Sequence, residues 1–351
     1  MGLFLLVIFS LSLPCLHATS QPIVSEESDF ECVDIYNQPA FRHPLLKNHK
    51  IQTKYHTTSI DVNKENTQSS FFSKLEALCP EGQVPIHKSN FENQSYRTMS
   101  SKILGHHFAV LETREDSKTL YKGASAVMSI HAPRVPEKYM FSRGSLWVES
   151  GPTDELNSIQ FGWASQPVIY KDDRPRLTAF WTADGYKQKG CYNEICPGFV
   201  QTHKTIYVGM RLYWDYIPVR FSIVQDGGVR GNWLLVCENQ TVGYWPNELF
   251  THLKDGATSL TYGGNVGQSP NGALPAMGNG TFPPDRAADY KKSAFFAHCE
   301  YSTEQSNGMV SIDSAQMKVV TDLPSCYKIN YFQNQVPEMG QMFAYGGDCG
   351  K

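Results

Sequence analysis

Apolar and polar residues alternate over short stretches through most of this chain, and Gly, Asp and Asn collect between those stretches. Residues 108–112, 121–130, 145–149 and 158–163 have a period of two or unbroken apolar runs, which predicts strands covered on one or both faces. Residues 176–182, 198–212, 221–225, 233–238 and 241–245 continue the pattern. Between them fall Asp226-Gly227-Gly228, Arg230-Gly231-Asn232, Asp255-Gly256 and Gly263-Gly264, which favour turns. Many short strands joined in this way predict an all-β fold, an antiparallel double-sheet β-sandwich. No self-similar period runs along the chain, which argues against a propeller or solenoid.

The front of the chain has a different texture. Residues 21–106 are mostly polar, with a polar loop expected at 61–70 and weak helical periodicity around 71–78. They read as a small N-terminal accessory unit or propeptide, with residues 107–351 forming the sandwich domain. Residues 1–20 read as a signal peptide: the apolar run 2–11 is too short to span a bilayer, and Ala18, Thr19 and Ser20 suit cleavage near Ser20. No later run reaches ~18 apolar residues, so a soluble, secreted mature protein is expected.

Composition narrows the picture. Aromatic residues make up 12% of the 351, with 27 Gly and 20 Pro and only 19% charged residues, which suits strands and turns over long helices. A formal net charge of -3 gives no footprint for nucleic acid or an anionic membrane. Nine cysteines become eight once Cys15 leaves with the signal, and an even number in a secreted chain argues for disulfides. Cys191 and Cys196 are close enough to clip one loop, and Cys326 with Cys349 would staple the C-terminus. Cys32 with Cys79 and Cys237 with Cys299 are then the remaining pairs. Zinc is disfavoured because no two CxxC pairs occur, and no metal or cofactor is expected. Sequons at Asn93, Asn239 and Asn279 agree with a secretory route to the cell exterior or wall.

No G-x-S-x-G elbow, Walker A loop, H-E-x-x-H or dinucleotide fingerprint is present. His298 and Cys299 are adjacent and would point to opposite faces of a strand, so Cys299 reads as structural. The doublet His106-His107 reads as a solvated pair.

Six segments carry a resemblance. Cys32 to Phe41 with His43-Pro44-Leu45-Leu46-Lys47-Asn48-His49 resembles the activation peptide of the plant neprosin family. Leu156-Asn157-Ser158-Ile159-Gln160-Phe161-Gly162-Trp163 resembles that family's L-N-S-I-E-x-G-W, and residues 176–196 its next block. Val242-Gly243-Tyr244-Trp245-Pro246 with Leu249-Phe250 resembles G-Y-W-P-x-x-L-F. Asp255-Gly256-Ala257 through Tyr262-Gly263-Gly264-Asn265-Val266 resembles D-G-A…W-G-G-E-V, and residues 277–283 resemble M-G-S-G-H-F-P. The resemblance implies a zymogen-like β-sandwich of the glutamic peptidase type that cleaves after proline in acid.

That chemistry needs two carboxyl groups sharing one water, one ionised as base and one neutral as acid. The two family glutamates fall at Gln160 and Asn265, both carboxamides, which hydrogen-bond but do not relay protons. Catalytic impairment follows, and a displaced carboxylate at Glu149 is the nearest rescue. Alternation puts Ser158, Gln160 and Gly162 on one face and Ile159, Phe161 and Trp163 on the other. Trp181, Tyr186, Trp245 and Tyr262 are candidates for an aromatic wall along a groove. Three readings result: a non-hydrolysing protein that retains the cleft and binds proline-rich peptides; an acid prolyl endopeptidase using Glu149; and a carbohydrate-binding cell-wall protein.

Overall fold

A computed structural model describes residues 29–57, 76–88, 105–114, 119–212 and 218–349. The signal-peptide segment, the sequon at Asn93 and the loop expected at 61–70 lie outside the described residues. Eighteen strands are described: β1 (Phe30–Asp34), β2 (Gln83–His87), β3 (His106–Thr113), β4 (Tyr121–Met128), β5 (Phe141–Ser150), β6 (Asn157–Ser165), β7 (Arg176–Thr182), β8 (Gly190–Tyr192) and β9 (Val200–Gln201). They continue with β10 (Val219–Gln225), β11 (Trp233–Cys237), β12 (Gln240–Trp245), β13 (Ser259–Gly267), β14 (Ala294–Thr303), β15 (Val310–Ser311), β16 (Met317–Thr321), β17 (Lys328–Gln333) and β18 (Met342–Gly346). One four-residue α-helix, α1 (Pro167–Tyr170), follows β6.

Every recorded strand pairing is antiparallel, and the strands form two large sheets and a small one. The seven-stranded sheet runs β16-β3-β13-β5-β6-β7-β8. The nine-stranded sheet runs β17-β18-β14-β4-β10-β11-β12-β9, with β15 paired to β14. Their facing sides fuse into one core, to which β6 gives Ile159, Phe161 and Trp163 and β11 gives Trp233, Leu235 and Cys237. This is the double-sheet sandwich that the alternation predicts. The expected strand at 198–212 shrinks to Val200–Gln201, because turns at Gly198 and Gly209, both at positive φ, break the ladder on either side. Glu76 to Leu78, the described end of the expected helical stretch, is not helical.

The other residues of β11, Leu234 and Val236, point out of the sandwich and pack with Val200, Val224 and Tyr244 beneath Ala40. β11 is therefore covered on both faces, which explains its unbroken apolar run. The cover comes from the N-terminal unit, in which β1 pairs with β2 and Cys32 bonds to Cys79. Gln38, 1% exposed, closes the sheet edge: its Nε2 donates to Gln201 O at 3.1 Å and its Oε1 accepts from Gln201 N at 2.7 Å. His49 bonds to Tyr244 Oη at 3.0 Å and Glu248 at 2.9 Å, and His56 N donates to Asp226 at 2.6 Å. Asp29 bridges Arg211 at 3.0 Å and Arg176 at 3.4 Å. The described part of this unit thus sits on the outer face and one edge of the nine-stranded sheet, and Asp29 ties it to β7 of the seven-stranded sheet through Arg176.

Disulfides join Cys32–Cys79, Cys191–Cys196 and Cys326–Cys349. The expected Cys237–Cys299 pair is corrected: both thiols are free and buried. Cys237 lies opposite Phe221, Phe221 lies opposite Ala126, and Cys299 sits in the β14 bulge beside β4. Three strand spacings separate them, about 14 Å at ~4.8 Å each. A disulfide needs Cα atoms within ~7 Å. Burial raises both thiols well above their usual range, which suits inert core residues. His107 bonds to Asp322 at 2.9 Å and His106 packs edge-on against Phe141, so the doublet is half-buried and not solvated. Among the described residues, no cluster could hold a metal ion and no helix is long and apolar enough to cross a membrane. Of the two described sequons, Asn239 lies in the β11–β12 turn and Asn279 donates to Lys292 O at 2.9 Å.

Two measurements check this architecture. Alkylation of denatured, unreduced protein should label Cys237 and Cys299 and leave the three bridged pairs unlabelled, as read by peptide mass mapping. Labelling of either cysteine in the folded protein would contradict its burial. The second concerns acid. Burial pushes the His131 imidazole from 6.5 down to about 4, and burial chiefly does the same to His87, with Arg176 adding to it. A depressed imidazole is neutral in the folded chain, so its stabilisation is complete above 6.5 and is lost as pH falls towards 4. For His131 the loss is roughly 3 kcal/mol. Denaturant unfolding at pH 7 and pH 4 should show a smaller acid loss in a His131→Gln variant than in the parent.

Candidate functional site

The strand registers lay out the outer face of the seven-stranded sheet as rows. Phe180, Gln160, Trp147 and Thr261 are successive cross-strand partners on β7, β6, β5 and β13. Two residues further along, the row is Thr178, Gly162, Ser145 and Gly263. The next is Arg176, Ala164, Arg143, Asn265 and Phe108. Partners in a row share one face, so Gln160 and Asn265 lie on the same side, away from the core. A floor of small residues separates them. Close approach of the backbones requires it: a Cβ on Gly162 would stand 2.1 Å from Gly144 O.

Gln160 and Asn265 are two strands apart and four residues out of register, roughly 16 Å between backbones at ~4.8 Å per strand and ~3.3 Å per residue. Each has its own surroundings. Gln160, 3% exposed, has Nε2 3.2 Å from Tyr186 Oη and 3.5 Å from Ser158 Oγ. Tyr186 Oη in turn donates to Glu149 Oε1 at 3.1 Å. The phenol is placed by a tight loop: Gly185 and Tyr186 both have positive φ, and Tyr186 N donates to Thr182 Oγ1 at 3.0 Å. Asp184 holds the rest, accepting from Lys187, Gln188 and Lys189 N–H groups at 2.9–3.1 Å. A strained residue held by so many bonds fits a positioned functional group. Glu149, the acid that the sequence offered as a rescue, is therefore joined to Gln160 through one phenol.

Asn265 is fully buried, and neither atom of its amide has a partner. Opposite it, Arg143 is 3% exposed, donates to Tyr192 Oη at 3.0 Å and lies over the Phe141 and Tyr192 rings at 4.3 and 5.5 Å. Gln166, just past the end of β6, is buried with both amide atoms unpartnered. A further buried acid, Glu194, is pushed well above the usual carboxylate range by burial and influences Tyr207 in the core.

The expected aromatic wall needs correction. Trp181, Trp245 and Tyr262 are at most 1% exposed and belong to the core between the sheets. Parity explains Trp181 and Tyr262, which share the inward side with Ile159 and Leu146 as cross-strand partners. Of the four, only Tyr186 reaches the outer face. The rings there include Phe108, Phe141, Trp147, Phe180 and Tyr192 with Tyr186, and Phe180 stacks on Tyr186 at 5.8 Å. Sequence reasoning missed Arg143, Tyr192 and Phe180. The alternation that places Gln160 outward could have pointed to Phe180 over Trp181 had the β6–β7 register been known.

Comparison with known proteins places this geometry in context. The sequence pattern described as Neprosin matches residues 138–348, and that of the Neprosin activation peptide matches 22–125. Among solved structures, a scytalido-glutamic peptidase with a peptide-based transition-state analogue is 13% identical, covering 70% of this chain and 98% of that one, with a TM-score of 0.37. SCP-B, a member of the eqolisin family of peptidases in complex with the tripeptide Ala-Ile-His, is 11% identical over the same shares, with a TM-score of 0.35.

Proposed function

The chain belongs to the neprosin family, and from that premise we propose that it is a secreted peptide-binding protein in which hydrolysis is impaired. The observation that carries this reading is the chemistry of two positions: Gln160 and Asn265 stand where the resemblance implies glutamates, and neither ionises. A carboxamide keeps the shape and one hydrogen-bonding edge of the acid but exchanges no proton with water. The orphaned amide of Asn265 and the free Oε1 of Gln160 support a face that still offers polar groups to an extended ligand. The stacked Phe180–Tyr186 pair beside Gln160 suits proline rings, and a proline-rich segment is already extended, so little entropy is lost on docking. The three disulfides favour an oxidising, extracellular or wall location.

One specific observation favours a second reading. Glu149 shares Tyr186 Oη with Gln160, so a carboxylate and a carboxamide bracket one phenol. In this arrangement Glu149 would take the proton from water and return it to the leaving amine while Gln160 Nε2 hydrogen-bonds the scissile carbonyl, and the protein would be an acid endopeptidase. Three of the four rings first offered as an aromatic wall are core residues, and that support is lost to the proline-stacking and carbohydrate-binding readings alike.

Turnover of a proline-containing reporter peptide at acidic pH separates the readings. The intact chain should bind the peptide without cutting it, and the double variant Gln160→Glu/Asn265→Glu should stay inactive too, because ~16 Å between the two backbones keeps its carboxyl groups from sharing one water. Robust cleavage by the intact chain, abolished by Glu149→Gln, would replace the first reading with the second.

A further inference from the structure

Arg143 is a buried cation that meets no carboxylate among the described residues. Arg176, Arg211 and Arg220 all pair with acids, whereas the one polar contact recorded for Arg143 is the Tyr192 hydroxyl, and its Nε is buried without a partner. Burying an unpaired charge is strongly unfavourable. The Phe141 and Tyr192 faces, 4.3 and 5.5 Å from the guanidinium carbon, offset part of that through cation–π attraction. They also hold the guanidinium fork in place. Directly across the β5–β13 ladder, Asn265 presents an amide with neither atom bonded. Gln166, at the end of β6 beside the strand carrying Arg143, adds a second unbonded and fully buried amide.

We propose that Arg143, Asn265 and Gln166 form a subsite for a carboxylate carried by a peptide ligand. The inference deepens the peptide-binding reading and rests on it for the class of ligand. A carboxylate accepts two parallel hydrogen bonds from a guanidinium, and its remaining lone pairs take amide N–H groups. Both donor types are present here, and among the described residues no carboxylate compensates the positive charge. An acid at position 265 would neutralise Arg143 from within the chain; asparagine leaves that charge to the ligand. The carboxylate comes either from a peptide's C-terminus or from an Asp or Glu side chain.

The probes are N-acetyl-proline and N-acetyl-prolinamide, measured against the full chain by calorimetry and thermal shift. The free acid should bind at least ~10-fold more tightly than the amide, a preference worth ~1.4 kcal/mol. Arg143→Met should abolish that preference. Asn265→Glu should abolish it too while Arg143 remains, which guards against a folding defect in the first variant. Equal binding of the two probes, or binding of neither, overturns the subsite. The peptide-binding reading is judged separately, on a longer proline-rich peptide with a blocked C-terminus and no acidic residues. If that peptide binds, the reading stands whatever the small probes do. Adding one internal Glu to it, or freeing its C-terminus, shows which source of carboxylate gains affinity.

Discussion

The antiparallel register that joins β13, β5, β6 and β7 sets everything on the functional face. Because the side-chain period of a strand is two, pairing Gln160 with Trp147 and Phe180 also pairs Ile159 with Val148 and Trp181. One choice of register therefore packs Ile159, Phe161 and Trp163 into the core and turns Gln160, Arg143 and Asn265 outward. A slip of one residue in any of these strands would exchange the two sets. The glycines at 162 and 263 let the backbones close up between the polar rows.

The electrostatic character of that face differs from what an acid dyad requires. Two carboxyl groups would repel unless one were protonated, and that repulsion is what tunes such pairs for acid chemistry. Here both positions are neutral at every pH, and the charges nearby are Arg143 on one side and Glu149 on the other. They sit at opposite ends of the small-residue floor, one beside Asn265 and one beside the phenol bonded to Gln160. The face is thus a polarised strip and not a symmetric pair, which suits holding a ligand in one direction.

The described residues of the N-terminal unit are bound mainly to the nine-stranded sheet, with Asp29 reaching Arg176 on β7 of the other. They cover the outer face of the nine-stranded sheet through Ala40, cap its edge through Gln38, and reach Tyr244 and Asp226 through His49 and His56. These contacts complete the fold of β9 to β12, whose apolar outer residues need a cover. Asp29 also ion-pairs directly with Arg176, which stands in the same cross-strand row as Arg143 and Asn265.

Much of this was legible in the residues themselves. Strand alternation carried the sandwich class and the outward direction of Gln160, and side-chain chemistry alone showed that Gln160 and Asn265 transfer no proton. Both are local properties, decided by neighbours one or two residues away. Cys191 and Cys196 were readable for the same reason, since five residues cannot carry them far apart. What needed the tertiary structure was every relation between strands distant in the chain. Trp181 and Tyr262 face inward because of the partners of β7 and β13, and Cys237 and Cys299 stay apart because two strands run between theirs. Arg143 stands opposite Asn265 although 122 positions separate them in the sequence. The register of a sheet is chosen by the packing of whole faces against each other, a sum over many residues that no single stretch contains.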